Sequence, residues 1–298
     1  MSPTRFSGSR VPGPGSRSSA PDTGSRNPEI AFLGGGNMAR ALIGGLLRSG
    51  MPAASLRVSE PRAEARTELT QTFGIAAHGD NAEAARGAAL WVLAVKPQVL
   101  RAVCTGLVSL AQTQRPVVLS IAAGIRSDQI ASWLGGDLAV IRAMPNTPAL
   151  LGVGASGLFA NTQVDAAGRA LAERVMTAVG ISCWIAEEAQ MDVVTALSGS
   201  GPAYFFLLAE ALEEAAVAQG LPRPVARMLA AQTCLGAGRM LREDDVPAAE
   251  LRQRVTSPGG TTAAALDRLA AGGFAALVAA ALTAASRRGG ELAAAADH

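Results

Sequence analysis

The chain has 298 residues, of which 49% are hydrophobic and 17% charged, with a formal net charge of +2. That length and apolar content support two domains with a sizeable core each and exclude a chain that is mostly disordered. The near-neutral balance carries no basic footprint for nucleic acid, and no apolar run free of Gly and charge reaches the roughly 20 residues of a membrane span.

In chain order, residues 1–27 are rich in Ser, Gly, Pro and Arg, lack an apolar period, and read as a disordered tail. They are Arg-rich and acid-poor like an organelle transit peptide, but their Pro and Gly content opposes the amphipathic helix such signals use. From residue 29 strands and helices alternate. Residues 30–33 form a short apolar strand, 37–48 a helix, 56–59 a second strand and 62–73 a second helix. The continuous apolar runs 89–95, 117–122 and 139–143 fit strands buried on both faces. Segments 154–159 and 181–185 add two more. Strands separated by helical segments imply right-handed crossovers and a mostly parallel sheet. After Glu187 the strand signal stops, and 203–220, 224–241, 247–255, 261–271 and 274–292 read as helices. The part of the last one from 274 to 286 is expected to be buried. The division is therefore a tail (1–27), an α/β domain of Rossmann type (28–187) and an all-helical domain (188–298).

The α/β half opens with Gly34-Gly35-Gly36-Asn37-Met38-Ala39, a G-x-G-x-x-A string that follows a strand and begins a helix. In that context Gly34 permits the tight turn, Gly36 the close approach of a pyrophosphate, and Ala39 close packing of helix on strand. The phosphates would meet free N–H groups at the positive end of the helix dipole. The second strand ends with conflicting signals. Glu60 suits a ribose 2′-hydroxyl and hence NADH, whereas Ser59 and Arg62 suit the 2′-phosphate of NADPH.

Residue usage narrows the chemistry. Lys96 is the only lysine, and the only histidines are His78 and His298. With so little His and with Cys104, Cys183 and Cys234 far apart in sequence, neither a thiol–imidazole pair nor a His/Cys metal site is expected. Three isolated cysteines fit a reducing cytoplasm. The string Gly199-Ser200-Gly201 fails as a hydrolase elbow, because Ser198 and Pro202 stand where that motif needs glycine. It reads as a tight turn near a helix start.

Five segments together resemble the pyrroline-5-carboxylate reductase family. They are Gly34 to Met38; Ala94-Val95-Lys96-Pro97; Arg142-Ala143-Met144-Pro145-Asn146-Thr147-Pro148; Ser198-Gly199-Ser200-Gly201-Pro202-Ala203-Tyr204; and Ser257-Pro258-Gly259-Gly260-Thr261-Thr262. The resemblance implies a Rossmann domain, a helical domain interlocked with a dimer mate, and in some members a decamer. It implies hydride transfer from NADPH, with NADH as the alternative, to the C5 imine carbon of 1-pyrroline-5-carboxylate, giving L-proline. It places Gly34, Gly35, Gly36, Asn37, Met38, Ser59, Arg62, Asn81, Ala94, Val95, Lys96 and Pro97 at the cofactor. Ser257, Pro258, Gly259, Gly260, Thr261 and Thr262 are placed at the substrate; the turn with Ser200 reads as lining that pocket, with Tyr204 either a contact there or a core or interface residue.

The chemistry of these residues agrees with that placement. A Gly-Gly-Thr-Thr turn at a helix start offers backbone N–H groups to a carboxylate, and the Thr262 hydroxyl can orient the ring nitrogen and relay a proton. Helix capping is the competing use of the two threonines. Related six-membered imines are alternative substrates. Among rivals, β-hydroxyacid dehydrogenases use a catalytic lysine past the Rossmann domain, and residues 97–298 contain none. A deazaflavin-dependent NADP reductase would lack the long helical half. A non-catalytic NADPH sensor would have no need of the intact 257–262 loop.

Overall fold

A computed structural model describes residues 29–295; the expected tail lies outside the described residues. The α/β half runs β1 (Ile30–Leu33), α1 (Asn37–Arg48), β2 (Leu56–Ser59), α2 (Ala63–Phe73), β3 (Ala76–His78), α3 (Asn81–Ala85) and β4 (Leu90–Leu93). It continues with α4 (Pro97–Thr105), α5 (Val108–Gln114), β5 (Val117–Ser120), α6 (Ser127–Trp133), β6 (Val140–Met144), β7 (Gly154–Ala160), α7 (Ala166–Thr177) and β8 (Gly180–Trp184). The helical half comprises α8 (Gln190–Val194), a π-helical segment (Thr195–Gly199), α9 (Gly201–Ala218), α10 (Arg223–Glu243), α11 (Ala248–Arg254), α12 (Thr261–Ala271) and α13 (Phe274–Ala295).

One eight-stranded sheet has the order β3-β2-β1-β4-β5-β6-β7-β8. Strands β1 to β6 pair in parallel in the order of a dinucleotide-binding fold. Strand β7 returns antiparallel to β6, and β8 lies parallel to β7. Alternation along each strand divides the core between the two faces. Ile30, Phe32, Leu56, Val58, Leu90, Val92, Leu119 and Ile141 fill one. Ala31, Leu33, Trp91, Leu93, Val118 and Val140 fill the other. Trp91 is fully buried, and its Nε1–H donates to the Ala85 carbonyl at 3.0 Å. Trp133 and Trp184 pack at the margins of the two clusters.

The helical half is packed differently. Helices α9 and α10 form an antiparallel hairpin closed by Glu213 and Glu214 against Arg223 and Arg227. Phe205, Phe206, Leu207, Leu208, Met228, Leu229 and Leu277 are nevertheless exposed, with Phe206 at 67% and Leu277 at 69%. The expected burial of 274–286 does not hold among the described residues of one chain, where 274–281 are exposed. Among the described residues no single helix is long and apolar enough to cross a membrane. Only α12 with α13, bent by 54° between them, reaches that length and composition as a pair.

Candidate active site

The sequence segments flanking β1, β2 and β4 meet at the carboxyl ends of these strands. Gly34 N–H donates to Ser59 O at 3.0 Å, and Ala94 N–H donates to Leu33 O at 2.9 Å. Gly34 has φ of +107°, and a Cβ there would stand 2.7 Å from the Ala94 carbonyl oxygen and 3.0 Å from Val95 Cγ1. Only glycine satisfies both the dihedral and the contact. A Cβ on Gly36 would meet nothing within 4 Å, so this side of the turn opens onto the crevice. Gly36 N-caps the 12-residue α1 without any side-chain cap. The first-turn N–H groups are thus left for a ligand, which fits the pyrophosphate of a dinucleotide. Gly36 and Asn37 are exposed here, while Met38 packs into the core. Arg40, which sequence reasoning missed, steadies the turn: its Nε donates to Gly35 O at 3.1 Å and its Nη2 pairs with Glu68 at 2.9 Å.

At the end of β2, buried Ser59 donates through Oγ to Asn81 Oδ1 at 2.6 Å. Two sequence-predicted residues are thereby joined across β3 and α3, neither of which the sequence pattern disclosed. The conflict between Glu60 and Arg62 takes a definite form. Glu60 is buried, and its Oε1 accepts from Arg62 Nε at 3.0 Å and from the Arg62 N–H at 3.2 Å. Arg62 is the N-cap of α2 rather than its first residue, and its guanidinium is largely in solvent. Arg66 braces the turn by donating to Glu60 O at 2.9 Å and to Pro61 O at 2.8 Å. Beyond β4, Lys96 N-caps α4 with Pro97 at the first position, and the Lys96 side chain is exposed.

The helical half contributes a second open helix start. Gly259 has φ of +70°, and Gly260 N–H donates to Ser257 O at 3.0 Å. Gly260 N-caps the 11-residue α12 with no side-chain cap. Thr261 and Thr262 occupy the first two helical positions, so capping does not engage their hydroxyls; neither takes a hydrogen bond among the described residues. Ser257, Pro258, Gly259 and Thr261 are exposed in the single chain.

Ser200 and Tyr204 are set differently from expectation. The supposed tight turn is a π-helical segment, Thr195–Gly199, running into α9. Gly, Ser and Pro gave it the composition of a turn, whereas it forms a widened helix packed against α8, α9 and α13. The Ser200 side chain forms no hydrogen bond among the described residues, while Tyr204 Oη donates to Ala196 O at 3.0 Å. Burial pushes the Cys104 thiol up to about 12, so it is no nucleophile.

Residues 29–124 match the family described as NADP oxidoreductase, coenzyme F420-dependent, and residues 188–292 match the one described as pyrroline-5-carboxylate reductase dimerisation. A pyrroline-5-carboxylate reductase of Pseudomonas aeruginosa is 52% identical over 80% of this chain and 87% of its own. The chain belongs to the pyrroline-5-carboxylate reductase family. The pyrroline-5-carboxylate reductase of Glycine max is 37% identical over 80% of this chain and 87% of its own. Among solved structures, a pyrroline-5-carboxylate reductase from Coxiella burnetii superposes with a TM-score of 0.87 at 42% identity, covering 90% of this chain and 99% of that one. The pyrroline carboxylate reductase of Plasmodium falciparum, solved with NADP bound, superposes at 0.78 with 29% identity, covering 90% and 98%. The deazaflavin-type match is confined to the nucleotide half, and the helical half separates this family from that rival.

Proposed function

We infer that this chain reduces 1-pyrroline-5-carboxylate to L-proline, the last step of proline biosynthesis, with NADPH as the preferred hydride donor and NADH as the alternative. The observation that carries the reading is the pair of helix starts without side-chain caps, one in each half. Gly36 at α1 suits a pyrophosphate, and Gly260 at α12 suits a small carboxylate. Residues 28–187 form the nucleotide domain in this reading, and residues 188–298 form the substrate and pairing domain.

Bound NADPH supplies the hydride. Backbone N–H groups of Thr261 and Thr262, in the uncapped first turn of α12, hold the substrate carboxylate, and the free Thr262 hydroxyl hydrogen-bonds the ring nitrogen. As the hydride adds to C5 of the protonated C=N bond, its π pair moves onto nitrogen and leaves the secondary amine of proline. The protonated imine is already a good acceptor, so no strong general acid is required. Ser200 and Tyr204 line the substrate side, and Ala94, Val95, Lys96 and Pro97 border the nicotinamide end.

Cofactor choice rests on the pair at the end of β2. Arg62 already neutralises Glu60, and its exposed guanidinium can turn to a 2′-phosphate beside Ser59 and Asn81. The exposed apolar face of the helical half supports pairing with a second copy, which brings its own residues to the exposed 257–262 loop. The three cysteines are unpaired, which suits a reducing cytoplasm.

Initial rates of NADPH and NADH oxidation, with and without 1-pyrroline-5-carboxylate, test the reading. Rapid oxidation that depends on the imine supports it, and the ratio of kcat/KM ranks the two cofactors. Tight cofactor binding without oxidation would instead favour the sensor. Light scattering of the same sample distinguishes dimer from decamer.

A further inference from the structure

The π-helical segment before α9 leaves two carbonyls without their ordinary helical donors. In an α-helix the N–H four residues on would serve each carbonyl. Ser200 N–H instead reaches back five residues to Thr195 O at 2.8 Å, which strands Ala196 O. The residue four beyond Ser198 is Pro202, which has no N–H, so Ser198 O is stranded as well. Tyr204, the only tyrosine in the chain, serves Ala196 O.

Ser198 O is served from the other half of the molecule. Asn146 Nδ2 donates to it at 3.0 Å, and Asn146 Oδ1 accepts from Ala155 N–H at 2.9 Å. Asn146 is buried and stands just beyond the carboxyl end of β6, a strand of the nucleotide-side sheet. A second contact is made at the same level: a Cβ on Gly199 would lie 2.6 Å from Met144 Cε at the end of β6. Asn146 therefore supplies the hydrogen bond, beside the Met144 contact, that ties the end of β6 to the π-helical segment leading into Ser200.

We propose that Asn146 is a positioning residue for the substrate: its amide fixes the turn bearing Ser200 against the sheet that carries the cofactor, so that hydride donor and acceptor keep one relative geometry. Pro202 makes this dependence obligatory, because the helix cannot satisfy Ser198 O by itself. The proposal rests on the reading that Ser200 lines the substrate site.

The test compares Asn146→Ala, Asn146→Ala/Pro202→Ala and Ser200→Ala for imine KM, kcat, NADPH Kd by fluorescence titration, and melting temperature. Pro202→Ala returns a backbone N–H four residues past Ser198, which can pair the stranded carbonyl without retying it to β6. Asn146→Ala is expected to lower the melting temperature and raise the imine KM about 10-fold, with NADPH Kd held within about two-fold. The double variant is expected to regain melting temperature and keep the raised KM. Recovery of KM along with melting temperature overturns the proposal, since Asn146 would then merely satisfy a carbonyl. Unchanged KM in Asn146→Ala, with KM raised in Ser200→Ala, also overturns it. KM unmoved in both variants overturns the placement of Ser200, and the proposal falls with it. If Asn146→Ala alone does not fold, the double variant against wild type carries the same decision.

Discussion

The two halves of this molecule solve the problem of burial in opposite ways. The α/β half closes its own core, with two apolar faces covered by its own helices. Past Ala196, only Ala226 and Leu251 are buried hydrophobic residues among those described. The helical half thus holds most of its apolar side chains outward and cannot complete a core within one chain. If the proposed site draws on both halves, a second copy covering the helices is expected to be needed for proper ligand binding.

The sharpest way to break this contrast is a charge on the open helical face. Phe206→Asp would bury an unpaired carboxylate in the pairing surface. We expect monomers by light scattering and a loss of turnover of more than about 100-fold, with NADPH Kd nearly unchanged. Retained activity in a monomer would mean that each chain holds a complete site.

Within the nucleotide half, two glycines of one turn should fail differently. Gly36→Val fills open space, and should weaken NADPH binding by roughly 100-fold while the melting temperature hardly moves. Gly34→Ala meets the backbone of the strand beside it and keeps an unfavourable φ, so it should cost about 3 kcal/mol of stability. Calorimetry together with fluorescence titration separates the two. On the substrate side, Thr262→Ala should lower kcat/KM by roughly 100-fold at constant NADPH Kd, and unchanged turnover would remove its role with the ring nitrogen.

Smaller effects refine the picture. Arg62→Ala should weaken NADPH by about 10-fold and, by releasing Glu60, strengthen NADH. The ratio of the two dissociation constants is the measurement. The smallest effect concerns the α9–α10 hairpin. Hydrogen bonds from Arg227 to Glu213 and from Arg223 to Glu214 hold both carboxyls below the ordinary range. Their stabilisation is present above the unfolded carboxylate pKa of about 4.3 and is lost as pH falls through the lower folded values. Glu214, Arg223 and Arg227 are largely in solvent while Glu213 is mostly covered, so the loss should be slight and should shrink in high salt. A melting series at pH 3–6 in low and high salt reads it, with Glu213→Gln/Glu214→Gln as the flat control.

Much of this was legible in the residue pattern. Strand β1, helix α1 and strand β2 fall at the expected residues, because a Gly-rich turn between apolar runs leaves little latitude. Strand β3 escaped notice because Ala76, Ala77 and His78 form no apolar run, and α3 because five residues give no period. The π-helical segment was hidden by its Gly, Ser and Pro content. It is contacted by Met144 and Asn146, which are about fifty positions away in the chain and beyond the reach of local pattern. The exposure of α13 could not be read from periodicity either, since an Ala-rich face is the same whether its cover comes from its own chain or from another.

Trp91, Trp133 and Trp184, the only tryptophans, all lie in the α/β half, and Tyr204 alone reports from the helical half. The protein therefore carries its own spectroscopic partition. Tryptophan emission follows the half whose core is self-contained, while far-ultraviolet circular dichroism is weighted toward the long helices. On dilution the dichroism signal should change first and the emission hold, so that two ordinary optical traces report separately on assembly and on folding.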